Sequence, residues 1–78
     1  MSEAQHDLVN EFPKFKEKIH ELKVSNAHFR KLFDDYHEVT RSISRAEQRI
    51  ELMSEAEEEQ LRKRRLALKD ELFTIMSR

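Results

Sequence analysis

The chain has no cysteine, no glycine and no tryptophan, and a single proline. Without cysteine there are no disulfides and no thiolate metal sites, a usage that fits a reducing compartment. Tight hairpins and left-handed helix caps normally draw on glycine, so a β-rich fold with many turns is disfavoured. No stretch approaches the roughly 18 apolar residues that a membrane span needs. Residues 1–10 hold no apolar run of signal-peptide length. Charge of one sign is missing too. Fifteen bases against sixteen acids leave a net charge of −1, so no global field draws the chain to nucleic acid or to an acidic membrane. These absences describe a soluble protein, cytoplasmic by default.

What the chain has is charge and helical pattern. Charged residues make up 40% and hydrophobic residues 37% of its 78 residues, enough for one domain with a small core. Such a core is marginal unless its packing is regular or subunits associate. Phe29, Tyr36, Ile43 and Ile50 recur every seven residues, and Leu32, Val39, Ala46 and Met53 recur in the complementary register. A helix underwound to about 3.5 residues per turn keeps such residues on one stripe, which is the seam of a coiled coil.

The pattern predicts an all-α fold: an antiparallel coiled-coil helical hairpin with a short N-terminal helix. Residues 1–10 read as a flexible lead-in. A first helix is expected from Glu11 to Val24, with Asn10 as its N-cap, Pro13 in its first turn and Phe12, Phe15, Ile19 and Leu22 on its apolar stripe. Leu8 extends that spacing backwards. Ser25 and Asn26 mark a break, and Asn26 can cap a second helix running from Ala27 to Leu52. Ser54-Glu55-Ala56-Glu57 fits a capping box and opens a third helix, from Glu55 to Met76, whose seam is Leu61, Arg65, Leu68, Leu72 and Ile75.

Zipped antiparallel, the second and third helices pair Ile50 with Leu61, Ala46 with Arg65, Ile43 with Leu68, Val39 with Leu72 and Tyr36 with Ile75 in a single register. The longest seam residue, Arg65, then meets the smallest, Ala46, and can run its methylenes along the seam out to water. Phe29, Leu32 and Phe33 lie beyond the third helix and need another cover. Folding the first helix back supplies one, pairing Leu22 with Phe29, Ile19 with Leu32, Phe15 with Tyr36 and Phe12 with Val39. The competing arrangement packs this aromatic end on a second copy of the chain. An exposed aromatic cluster is uncommon on a stable monomer, so one of the two is required.

Little here suggests chemistry. Glu17-x-x-His20 has the spacing of a di-iron bundle ligand pair, but both residues fall off the apolar stripe. Asp34, Asp35 and Glu38 belong on a wet face without a cleft to shift their protonation. There is no nucleophile–base arrangement, phosphate loop or zinc spacing. No enzyme, cofactor, metal or small-molecule substrate is expected. Two surfaces remain. Phe29, Phe33 and Phe73 form a candidate interaction surface, with plain core as the competing reading. Arg41, Arg45, Arg49, Arg62 and Arg64 form a candidate basic patch for an acidic protein surface or for RNA or DNA. Against the patch stand the i, i+4 pairs Glu58–Arg62 and Glu59–Lys63, with Glu38 and Glu47 placed to serve Arg41 and Arg45.

Three segments together resemble the small YdcH-like proteins of bacteria: Phe12-Pro13 with Ile19-His20-Glu21-Leu22-Lys23, then Ala27 through Tyr36, then Leu66 through Leu72. The resemblance implies a bacterial cytosolic helical hairpin of unknown function and brings no reaction, cofactor or binding residues. Lys69-Asp70 has no place in the seam. The expected function is association with another protein or with a second copy of the chain, the alternative being weak association with RNA or DNA.

Overall fold

In the computed structural model, which describes residues 8–49 and 52–78, the chain is all-α. A four-residue turn of helix, α1 (Leu8–Glu11), leads through a 3-10 turn (Pro13–Phe15) into α2 (Lys16–Ser25). The long helices α3 (Ala27–Glu47) and α4 (Glu55–Met76) follow. α3 and α4 lie side by side as a hairpin. Asn26 and His28, at the start of α3, border the same groove as Ile75 and Arg78 at the end of α4. At the other end Glu47 reaches Arg62 across the hairpin, Oε2 to Nη2 3.6 Å. That ion pair sits beside the expected Ala46–Arg65 layer. Val39, Ile43, Ala46, Leu68 and Leu72 are all buried, as the seam requires. The Ile50–Leu61 layer lies outside the described residues, because Ile50 is not among them.

The first helix starts earlier than expected and is broken. The residue before a proline is disfavoured in the α region. Phe12 accordingly sits at φ −131°, ψ 67°, and it interrupts the helix ahead of Pro13. Asn10 is therefore not an N-cap but part of α1, and the lead-in does not extend to residue 10. Leu8, expected there, is fully buried. The joint between α2 and α3 falls where Ser25-Asn26 places it. Asn26 is extended (φ −129°, ψ 104°), and its Oδ1 accepts the Phe29 N–H at 3.0 Å.

The second helix was expected to reach Leu52 but ends at Glu47. Reversing the chain uses up the last turn. Without glycine, Arg49 takes the left-handed conformation, φ 62°, that such caps need. The Arg49 N–H donates to the Ala46 carbonyl at 3.1 Å and the Gln48 N–H to that of Ser44 at 3.0 Å. Leu52, expected as the last residue of that helix, lies outside it and is 95% exposed. The capping box forms as its sequence predicts. Ser54 Oγ accepts the Glu57 N–H at 3.1 Å, and Glu57 Oε1 accepts the Ser54 N–H at 3.4 Å.

The N-terminal arm, from α1 to α2, folds back on its own hairpin, so the bundle is closed within one chain. α2 lies along α3 and touches α4, with Ile19 fully buried. The details differ from the expected layers of Phe15 with Tyr36 and Phe12 with Val39. Both rings instead meet Phe73 of α4, at centroid distances of 6.0 and 5.4 Å. The break at Phe12 turns them toward α4.

Candidate functional site

The arm is fastened at four places that carry different chemistry. The Leu8 N–H donates to His37 Nε2 at 3.2 Å. His37 Nδ1 lies 2.9 Å from the Phe33 carbonyl oxygen. Both bonds are satisfied together only when Nδ1 carries the hydrogen and donates while Nε2 accepts, so the geometry selects one neutral tautomer. Glu11 pairs with Lys69 of α4 at 3.9 Å, which gives the Lys69 of the unexplained Lys69-Asp70 pair its place. Phe12 and Phe15 hold Phe73 between them, and Lys23 Nζ sits 4.4 Å from the Phe33 ring centroid, a cation–π contact.

This arrangement revises the candidate aromatic surface. Phe29 is fully buried and belongs to the core, so it is no part of an interaction surface. Phe33 is half-buried between Lys23 and the His37 ring, whose centroid is 4.3 Å away. Phe73 is 43% exposed at the edge of the arm's aromatic cluster. One helical turn on from His37, Thr40 is also buried, and its hydroxyl has no hydrogen-bond partner.

The five arginines of the basic patch are not equivalent. Arg41, Arg49 and Arg64 are exposed. Arg62 lies between two carboxylates, Glu58 at 3.3 Å and Glu47 at 3.6 Å. Arg45 is half-buried and donates to Ser42 Oγ at 3.3 Å. Glu47 thus serves Arg62 across the hairpin rather than Arg45 on its own helix. Lys63 pairs with Glu59 at 3.9 Å. The patch is a weave of both signs with Arg64 left at its edge, where it forms no ion pair with a described residue.

Arg64 borders an open groove of about 910 Å³ between α3 and the first half of α4. Its apolar lining is Leu61, Ala56, Ala67 and Met53, with Ser42 from α3. Its polar lining is Glu57, Gln60, Lys63 and Arg64. The periodicity that defined the seam did not reveal this groove. Its signal was the second stripe of α4, where Ala56 and Ala67 leave space beside Leu61.

Glu17 and His20 are exposed and border a small groove with Lys16 and Lys23, two ammonium groups that oppose a bound cation. Among the described residues no three histidine or acidic side chains converge as a metal site needs. No helix among them is long and apolar enough to cross a membrane.

A family model described as Protein of unknown function (DUF465) matches residues 29–76, which is the hairpin without the arm. No curated protein and no solved structure matches the chain.

Proposed function

The chain belongs to this DUF465 family, the family of the YdcH-like proteins that its sequence resembles, and we propose from its geometry that it is a protein-binding module without catalytic activity. One observation carries the reading: the two sides of the hairpin are unequally covered. The arm closes one side with Leu8, Ile19 and the Phe12–Phe15–Phe73 cluster. The other side keeps the groove over Leu61 and Ala67 open. The small side chains of Ala56 and Ala67 let a partner backbone approach closely. Arg64, which forms no ion pair with a described residue, favours an acidic partner, and a helix laid in the groove fits its shape. Charge there sets the partner's choice and approach, and the apolar lining supplies the area to be buried.

The test uses the full-length tagged chain, purified from its native host beside its Arg64→Glu and Ala67→Glu variants. Both substitutions are at exposed positions, so the fold should survive, and circular dichroism checks that it does. A partner that is held by the unaltered chain, bound again from purified components and weakened at least about tenfold by either variant supports the groove. A partner held equally by all three chains places the function elsewhere.

The alternative, association with RNA or DNA through Arg41, Arg45, Arg49, Arg62 and Arg64, draws less support. Two of its five cations are engaged, Arg62 with Glu47 and Glu58 and Arg45 with Ser42. Phe29 and Tyr36 are buried and cannot stack on bases.

A further inference from the structure

The joint between α2 and α3 is one residue long, and the sequence runs through it as though it were not there. Leu22 of α2 and Phe29, Tyr36 and Ile43 of α3 are spaced seven residues apart, although Asn26 bends the chain between Leu22 and Phe29. A hinge leaves two helices free to differ in phase. An unbroken seven-residue phase is what one continuous helix requires. The bend itself is slight in hydrogen-bonding terms. The Asn26 N–H still donates to the Leu22 carbonyl at 2.9 Å and the Arg30 N–H to that of Asn26 at 3.0 Å, both with helical spacing. Lys23 through His28 include neither glycine nor proline. The Asn26 cap on the Phe29 N–H is the local feature that favours the bend.

We propose that the chain has a second folded form in which α2 and α3 merge through Asn26 into one helix, and two copies exchange N-terminal arms. In the exchanged pair each arm seats on the other copy's hairpin and remakes every contact of the closed form: Phe12 and Phe15 on Phe73, Glu11 on Lys69, Leu8 on His37 and Lys23 on Phe33. The joint changes. The Asn26 cap is lost, and the Ala27 and His28 N–H groups, at exposed positions in the closed form, gain the carbonyls of Lys23 and Val24. Because the remade contacts are the same, concentration and the joint decide between the forms. The proposal takes from the association reading only that binding is the chain's work. It uses the arm's seat and not the groove.

The test uses two full-length chains, one carrying Glu11→Cys and the other Lys69→Cys, in a protein that has no cysteine of its own. They are mixed, concentrated and treated with a short bismaleimide, with a tag on one chain to identify the mixed product. Exchange puts these two positions side by side on different chains and yields a cross-linked heterodimer. Asn26→Ala removes the cap and favours the straight helix, so it should raise the heterodimer yield about tenfold or more, since both copies lose a cap. Asn26→Gly, which disfavours a continuous helix, should not. Light scattering and small-angle scattering on the Asn26→Ala chain should show two-chain particles. Their merged helix, about 48 Å long, exceeds the 37 Å maximum extent of the closed chain. The proposal is overturned if the folded Asn26→Ala chain keeps a one-chain mass at every concentration. It is equally overturned if its dimers give no cross-link between the two positions. Arg64→Glu, the groove variant, should leave the cross-link unchanged, so failure of the groove and failure of the exchange are distinguishable.

Discussion

Thr40 shows what a periodic pattern leaves unread. Its hydroxyl is buried and without a hydrogen-bond partner, next in sequence to Val39 on the seam. An unpaired buried hydroxyl costs its desolvation and returns nothing, while a methyl of the same shape has no such cost. Thr40→Val should therefore stabilise the chain by about 1 kcal/mol, read as a higher urea midpoint with an unchanged slope. A loss of that size would show that the hydroxyl has a partner. Most of the core could be read at this scale. Tyr36, Ile43, Leu68 and Leu72 are buried as the heptads place them. Phe29 was ambiguous because helical spacing marks a buried face without saying what covers it. Arg49 was unreadable for the opposite reason. The cap needed a residue at positive φ, and with no glycine in the chain nothing in the local sequence marked where it would fall.

Among the elements, those with a chemical terminus were placed well. Ser54 with Glu57 and Asn26 with Phe29 form the caps that their side chains predict. The arm was legible as a helix, and its fold-back as one of two arrangements, but its contacts were not. Pro13 breaks it, and the break sends Phe12 and Phe15 to Phe73 on α4 instead of along α3. Lys69-Asp70 had no place in the seam and was legible only as charge closing the groove of the first helix; the partner of Lys69, Glu11, could not be named because its path depends on that break. If the aromatic cluster is the main fastening, Phe73→Ala should weaken the docking of the arm by about 2 kcal/mol, adding two lost ring contacts to the lost buried area. Under conditions where exchange follows the opening equilibrium, amides of α2 should then exchange about thirtyfold faster, with a smaller change in the middle of α3. Equal acceleration in both helices would mean that arm and hairpin open only together.

At the scale of the whole molecule the question is whether charge or the seam holds the fold, since charged residues outnumber hydrophobic ones. The ion pairs answer for the seam. Arg30–Asp34, Lys31–Asp35, Arg62–Glu58 and Lys63–Glu59 are i, i+4 pairs on helix surfaces, each with at least one well-exposed partner. Pairs of this kind contribute about 0.3–0.5 kcal/mol and are screened by salt. Among the described residues only Glu11–Lys69 and Glu47–Arg62 join different elements. The shape is that of a rod held along its length. The radius of gyration, 13.1 Å, exceeds the roughly 11.5 Å of a compact chain this size, and the extents are 37 × 22 × 17 Å. Its apolar layers run along the two long helices, and opposite charges on the surface nearly cancel. Raising sodium chloride from about 0.05 M to 1 M should accordingly change the unfolding free energy by less than about 1 kcal/mol, measured by urea denaturation at each salt concentration. A fold held by its charges would lose several times as much, and the closed arm, with Glu11–Lys69 as its one ion pair among the described residues, would be the first part to open.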